Sequence, residues 1–122
     1  MTTTTVTAAD GTALHTYVWT PPGQPKAIVQ IAHGLAEHAQ RYGRFADALT
    51  ASGYAVYAND HRGHGHTNPV GEGHGYFADT DGFGKVVEDL RAVTEVARAA
   101  YPGVPVFLLG HSMGSFLARA YA

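Results

Sequence analysis

Cysteine is absent from the 122 residues. That excludes disulfides, thiolate metal sites and a cysteine nucleophile, and it fits a reducing compartment, so a cytoplasmic location is the expectation. Charge is sparse and nearly balanced, with 8 Lys and Arg against 10 Asp and Glu and a formal net charge of −2. Such a chain has no basic field to draw in nucleic acid. Long apolar runs are missing too: none approaches the ~18 residues that a membrane span requires. The Thr-rich start, Met1 to Asp10, lacks a basic residue ahead of an apolar stretch and so does not read as a secretory signal.

What is present is the composition of a folded domain: 45% hydrophobic and 15% charged residues. Glycine is plentiful, 15 residues, and falls mostly at sharp turns, not in a low-complexity tract. Length allows one domain with a core.

Val6 with its Thr neighbours and Thr12 to Thr20 read as two short strands joined at Asp10-Gly11. On the second, Leu14, Thr16 and Val18 share one face, and His15, Tyr17 and Trp19 the other. Pro21, Pro22, Gly23 and Pro25 make a stiff connector. Lys26 to Ala32 (KAIVQIA) is a buried-type strand ending at His33-Gly34. Tyr42, Phe45, Ala46 and Leu49 recur at helical spacing until Ser52-Gly53 stops them. Tyr54 to Ala58 is a further buried strand. It runs into Asn59 to Gly75, a loop with five Gly and four His. Phe83, Val86, Val87, Leu90, Val93, Ala97 and Tyr101 line one side of an amphipathic helix that Pro102-Gly103 ends. Val104 to Leu109 (VPVFLL) again has the look of a buried strand, and Gly110-His111-Ser112-Met113-Gly114 with a new apolar helix follows at once.

Strands alternating with helices predict an α/β fold with a mostly parallel sheet and right-handed crossovers, edged by the antiparallel first pair. Residues 1–122 read as one domain, and the last helix reaches Ala122 without a stop signal, so the domain is expected to be incomplete.

Chemistry concentrates at Gly110-x-Ser112-x-Gly114. A serine raised at the top of a sheet needs a sharp strand-to-helix turn, and glycines on both sides relieve its crowding. Acyl transfer also needs donors aimed at the developing oxyanion. The backbone N–H of Met113, at a helix N-terminus, is the natural first donor. Leu35, in the His33-Gly34-Leu35 turn after the third strand, is the expected second, with Gly34 letting the backbone turn. His61, His64, His66 and His74 invite a metal reading. The chain has no Cys and no H-E-x-x-H spacing, so these side chains are expected to hydrogen-bond within the loop, with no metal and no cofactor. Asp60 is expected to hold that loop.

The stretches IAHGLAEHAQRY, GYAVYANDHRGHGHT, GYFADTDGFGKVVEDL and LLGHSMGSFLARA together resemble the monoacylglycerol lipase and lysophospholipase branch of the α/β-hydrolases. The resemblance implies Ser112 as nucleophile and Leu35 and Met113 as oxyanion-hole donors. Gly34 and Gly114 shape the two turns, and Asp60 and His64 belong to a structural loop. It further implies a first antiparallel strand followed by parallel ones, in the order 1-2-4-3-5. The substrate implied is a small acyl ester such as a monoacylglycerol or lysophospholipid, met through transient contact with lipid surfaces. In that branch the cap, the acidic triad member and the catalytic His follow the nucleophile helix, and these 122 residues hold no counterpart, so the piece alone is expected to be inactive. Three alternatives remain open on sequence: a non-catalytic binding or scaffold protein on the same fold, another hydrolase activity such as aminopeptidase, and a His-loop metalloprotein.

Overall fold

The Asp10-Gly11 turn folds the first two runs back on each other. β1 (Thr2–Thr7) and β2 (Ala13–Trp19) pair antiparallel with Val6 opposite Leu14, and Gly11 supplies φ 90° at the tip. The computed structural model describes residues 1–67 and 75–122. After the proline-rich connector come β3 (Ile28–Ala32), a 3-10 turn (Ala39–Tyr42) and α1 (Gly43–Ala51). β4 (Ala55–Asn59), α2 (Gly82–Ala100), β5 (Val106–Gly110) and α3 (Met113–Tyr121) complete the described elements.

The five strands form one sheet in the order β1-β2-β4-β3-β5, as the resemblance implies. β3 runs parallel to both β4 and β5. The sense of the leading strands differs from the expectation. β2 is antiparallel to both β1 and β4, so the reversed strand is the second, and β1 runs with the rest. The cause is local: a tight turn must reverse direction between β1 and β2, and β2 is then the strand that docks on β4.

Alternation along the strands sends side chains to two covered faces. Tyr17, Trp19, Ile31, Val56 and Ala58 pack with Ala39 and Ala46 beneath α1. On the opposite face Leu14, Ile28, Ala55 and Tyr57 pack with Val93 and Ala97 of α2. A third cluster joins Val86, Val87 and Leu90 of α2 to Ala32 and to Leu117 of α3. Buried Gln30 pins the layers with polar bonds, donating to Leu90 O (2.9 Å) and accepting from Thr94 Oγ1 (2.5 Å). Phe83, expected on the buried side of α2, is instead exposed at the first turn of that helix.

β5 also departs from the buried strand that its apolar run suggests. Phe107 is 61% and Leu109 41% exposed: they lie on the face of β5 opposite Val106 and Leu108, which pack into the α2 and α3 clusters, and among the described residues β5 pairs with β3 alone. No helix among the described residues is long and apolar enough to cross a membrane.

Candidate active site

Parallel pairing sets Ala32 opposite Gly110, so the segments that follow β3 and β5 leave the same sheet edge side by side. In open α/β sheets that carboxyl edge is where ligands bind. His111 extends the ladder by donating its N–H to Ala32 O at 3.1 Å. The chain must then reverse into α3, and Ser112 makes the turn at φ 56°, ψ −121°. A side-chain-bearing residue held there stores about 1–3 kcal/mol of strain. Ser112 is exposed at the apex, neither in strand nor in helix.

Close approach explains the neighbouring glycines. A Cβ on Gly114 would overlap the carbonyl oxygen of Ala32, and one on Gly110 would overlap the Gly114 backbone. Only bare backbone lets the start of α3 rest on the end of β3. Gly34 lies against the same turn: a Cβ there would stand 3.1 Å from Ser112 Cβ and 3.3 Å from His111 O.

Met113 opens α3, so its N–H has no intrahelical acceptor. Neither the Met113 nor the Leu35 amide donates to any group among the described residues. The turn therefore brings together Ser112, Gly34 and two elements carrying uncommitted amides. Ser112 Oγ has no hydrogen-bond partner among the described residues either. A cleft of about 470 Å³ is lined by Leu35, Ala36, Glu37 and His38 together with Gly63, His64, Gly65 and Gly75; it meets the site at Leu35, and Ser112 and Met113 are not among its lining residues.

The described histidines of the loop form a packed polar support. His61 is fully buried, donates its backbone N–H to His33 Nε2 (3.0 Å), and bonds through its own Nε2 to His33 O (3.0 Å). A ring nitrogen that accepts is unprotonated, so His33 carries its proton on Nδ1, which donates to Gly34 O at 2.7 Å. Both rings are held neutral. Burial lowers His33 below the ordinary imidazole value, and it pushes His61, helped by the adjacent His33, down to about 3. His64 donates from Nδ1 to Arg62 O at 2.9 Å. Among the described residues no group of three or more His, Asp or Glu is placed to share a metal ion. His74 lies outside the described residues.

Asp60 has the loop-holding part expected of it. Its carboxylate is buried and accepts from Ala39 N–H (2.7 Å) and His66 N–H (2.9 Å). Two further supports are not announced by sequence pattern. Arg62, 4% exposed, bridges Asp89 of α2 (2.6 Å) and Asp10 of the β1–β2 turn (2.5 Å). Its hydrogen bonds hold the Asp10 carboxyl well below the usual carboxylate range. Glu37 accepts from Gly34 N–H (2.8 Å) and from the Tyr42 hydroxyl. The one sequence cue to Glu37 is an acidic residue three places after the Gly34 turn, a spacing shared by countless surface loops.

Comparison with known proteins follows the same lines. Residues 23–122 match the family model described as "Serine aminopeptidase, S33". The chain is 39% identical to human monoglyceride lipase over 110 residues, covering 90% of this chain and 34% of the relative. It is 43% identical to the monoacylglycerol lipase of Mycolicibacterium smegmatis over 104 residues, 85% of this chain and 35% of that protein. The chain thus spans about a third of the length of the curated relatives it matches. Among solved structures, a thermostable carboxyl esterase from Bacillus coagulans superposes with a TM-score of 0.89 at 32% identity, covering 98% of this chain and 39% of that one. A monoglyceride lipase variant from Saccharomyces cerevisiae gives 0.74 at 27% identity, covering 92% and 36%.

Proposed function

The chain belongs to the serine aminopeptidase S33 family of α/β-hydrolases, and from that membership we propose that the protein is a serine hydrolase of carboxylic esters. Its substrate is a monoacylglycerol or lysophospholipid, met at a lipid surface, and its intermediate is an acyl-enzyme on Ser112. The observation that supports this most is Ser112 itself, held at φ 56° on an exposed apex against Gly34. Strained serines at strand-to-helix turns serve to present the hydroxyl.

In this reading Ser112 Oγ attacks the ester carbonyl carbon while a base takes its proton. The carbonyl oxygen becomes an oxyanion and accepts from the Leu35 and Met113 amides. Each such donor accounts for about a 100- to 1000-fold rate factor. Collapse of the tetrahedral adduct breaks the bond to the alcohol, which leaves with the proton; water then repeats the sequence on the acyl-serine. None of the described histidines contacts Ser112 Oγ, so in this proposal the base and its acidic partner are groups of the full protein other than those described. We read residues 1–122 as part of one larger hydrolase domain, in a cytoplasmic setting compatible with the lack of cysteine.

A fluorophosphonate probe applied to the full protein tests the proposal. Labelling that vanishes in Ser112→Ala, together with turnover of monoacylglycerol or lysophospholipid above that of aminoacyl anilides, is the expected result. Preference for the anilides would convert the reading to a peptidase. No labelling at all would leave a binding protein on a hydrolase fold.

A further inference from the structure

We propose that Glu37 is a positioning residue for acyl transfer, a clamp that ties the Gly34-Leu35 turn to Tyr42 and to the residue beside Ser112. The proposal rests on the assignment of Ser112 as nucleophile and adds to it the device that keeps the Leu35 amide in place.

One oxygen carries the connections. Glu37 Oε1 accepts the Gly34 N–H at 2.8 Å, accepts the Tyr42 hydroxyl, and lies 3.7 Å from His111 Nδ1. Three segments meet there: the turn after β3, the 3-10 turn before α1, and the turn between β5 and α3. The side chain is only 12% exposed, so water competes weakly for the carboxylate. A charged acceptor on a backbone amide makes a stronger bond than a neutral one. Burial raises the carboxyl, but the hydrogen bonds donated by Tyr42 and Gly34 outweigh it and keep Glu37 below the usual carboxylate range.

The consequence concerns which amide is left over. Because Gly34 N–H is spent on Glu37, the next amide, Leu35, is uncommitted among the described residues. The backbone then turns away through Ala36 at φ 60°. His33 Nδ1 holds the carbonyl side of Gly34 at 2.7 Å. The peptide on which the Leu35 amide sits is thus held at its carbonyl by His33, while Glu37 fixes the amide of the peptide just before it and stands 3.7 Å from His111 of the nucleophile turn. A donor that acts on an oxyanion acts in the transition state, so losing its alignment should reduce kcat and spare KM.

The test uses the full protein with p-nitrophenyl butyrate, counting functional sites by fluorophosphonate titration. Glu37→Ala is expected to lower kcat per titrated site by about 10- to 100-fold while KM changes by less than about 3-fold. Glu37→Gln keeps an oxygen for the Gly34 amide and is expected to recover most of that loss. Tyr42→Phe, remote from the reacting atoms, is expected to lose about 3- to 10-fold in kcat. A purely structural residue would lower the melting temperature and the number of titratable sites but leave kcat per site alone; that pattern, or a loss confined to KM, overturns the proposal. Should Glu37→Ala not fold, an unchanged kcat in both Glu37→Gln and Tyr42→Phe overturns it equally. Ser112→Ala runs alongside: if it retains turnover the nucleophile assignment falls and the clamp with it, whereas an inactive Ser112→Ala beside a fully active Glu37→Ala removes the clamp alone.

Discussion

Gly34 and Ser112 belong to turns that are 78 positions apart in the chain (112 − 34), yet a Cβ on Gly34 would stand 3.1 Å from Ser112 Cβ. The two turns touch through the one residue that has no side chain to keep them apart. A first prediction follows from that contact. Gly34→Ala asks its neighbours to yield by only tenths of an ångström, so the full protein should fold with a melting temperature within a few degrees of the parent. The displaced turn should nevertheless cost about 10-fold or more in kcat. Gly114→Ala, whose Cβ would overlap Ala32 O, should fail to fold. Paired melting curves and initial rates decide the matter, and an unimpaired Gly34→Ala rate would count against the contact being functional.

Acid should destabilise the fold earlier than carboxylate chemistry alone requires. His33 and His61 are held below the ordinary imidazole value in the folded state, His61 at about 3. Once unfolded, both take up protons below about pH 6.5, and protonation then favours the unfolded chain. Stability is therefore full above about pH 6.5 and falls below it, for His61 down to about pH 3 and by up to about 1.4 kcal/mol per pH unit, with His33 adding a loss of the same sign. Between pH 6.5 and 5 the lowered carboxyls of Asp10 and Glu37 stay ionised in the fold, and Asp89, raised by burial, would add stability as pH falls, so the loss there belongs to the imidazoles. Urea midpoints at pH 7.5 and 5.0 measure it; equal midpoints would refute it.

Arg62 offers a comparison between its two partners. Arg62→Ala strands the Asp89 carboxylate at 2% exposure, and stranding a buried charge costs about 3–5 kcal/mol. Asp10, 40% exposed, is reachable by water, so Asp10→Asn should cost no more than about 1 kcal/mol. Chemical denaturation of the two variants gives the ratio directly. Similar losses from both would show the surface arm to be as important as the buried one.

Expressed as these 122 residues alone, the chain should show no turnover of p-nitrophenyl butyrate beyond that of its Ser112→Ala variant. Ser112 Oγ has no basic partner among the described residues, and an unassisted hydroxyl is a weak nucleophile at neutral pH. The same piece should self-associate through the outward side of β5, where Phe107 and Leu109 stand exposed. Sedimentation of the parent and of a Phe107→Lys, Leu109→Lys double variant tests the second half. A monomeric parent with a sharp melt would contradict it.

The legible parts of the sequence were those written in local rules. Period-2 and period-3.6 patterns marked the strands and helices, and Asp10-Gly11, Ser52-Gly53 and Pro102-Gly103 marked their ends. The sheet order came through the family resemblance, and the Ser112 turn through its flanking glycines. What stayed hidden depends on partners distant in sequence. Nothing near Arg62 announces Asp10 or Asp89, and nothing near Glu37 announces His111. The sense of β2 is settled by which strand it docks against, and the exposure of Phe107 by which neighbour is missing. Hydropathy reports a side chain's preference, whereas burial also needs something to cover it.

The rung that joins Ala32 to Gly110 has a mechanical effect. A twisted sheet flexes, and in most proteins two loops on separate strands would drift relative to one another as it does. Here both hang from the same hydrogen-bonded step, so bending of the sheet carries them as one body. A change in the spacing of the Gly34 and Ser112 turns therefore requires that step to open or the turns beyond it to deform. The softness that remains lies in the few bonds beyond that step.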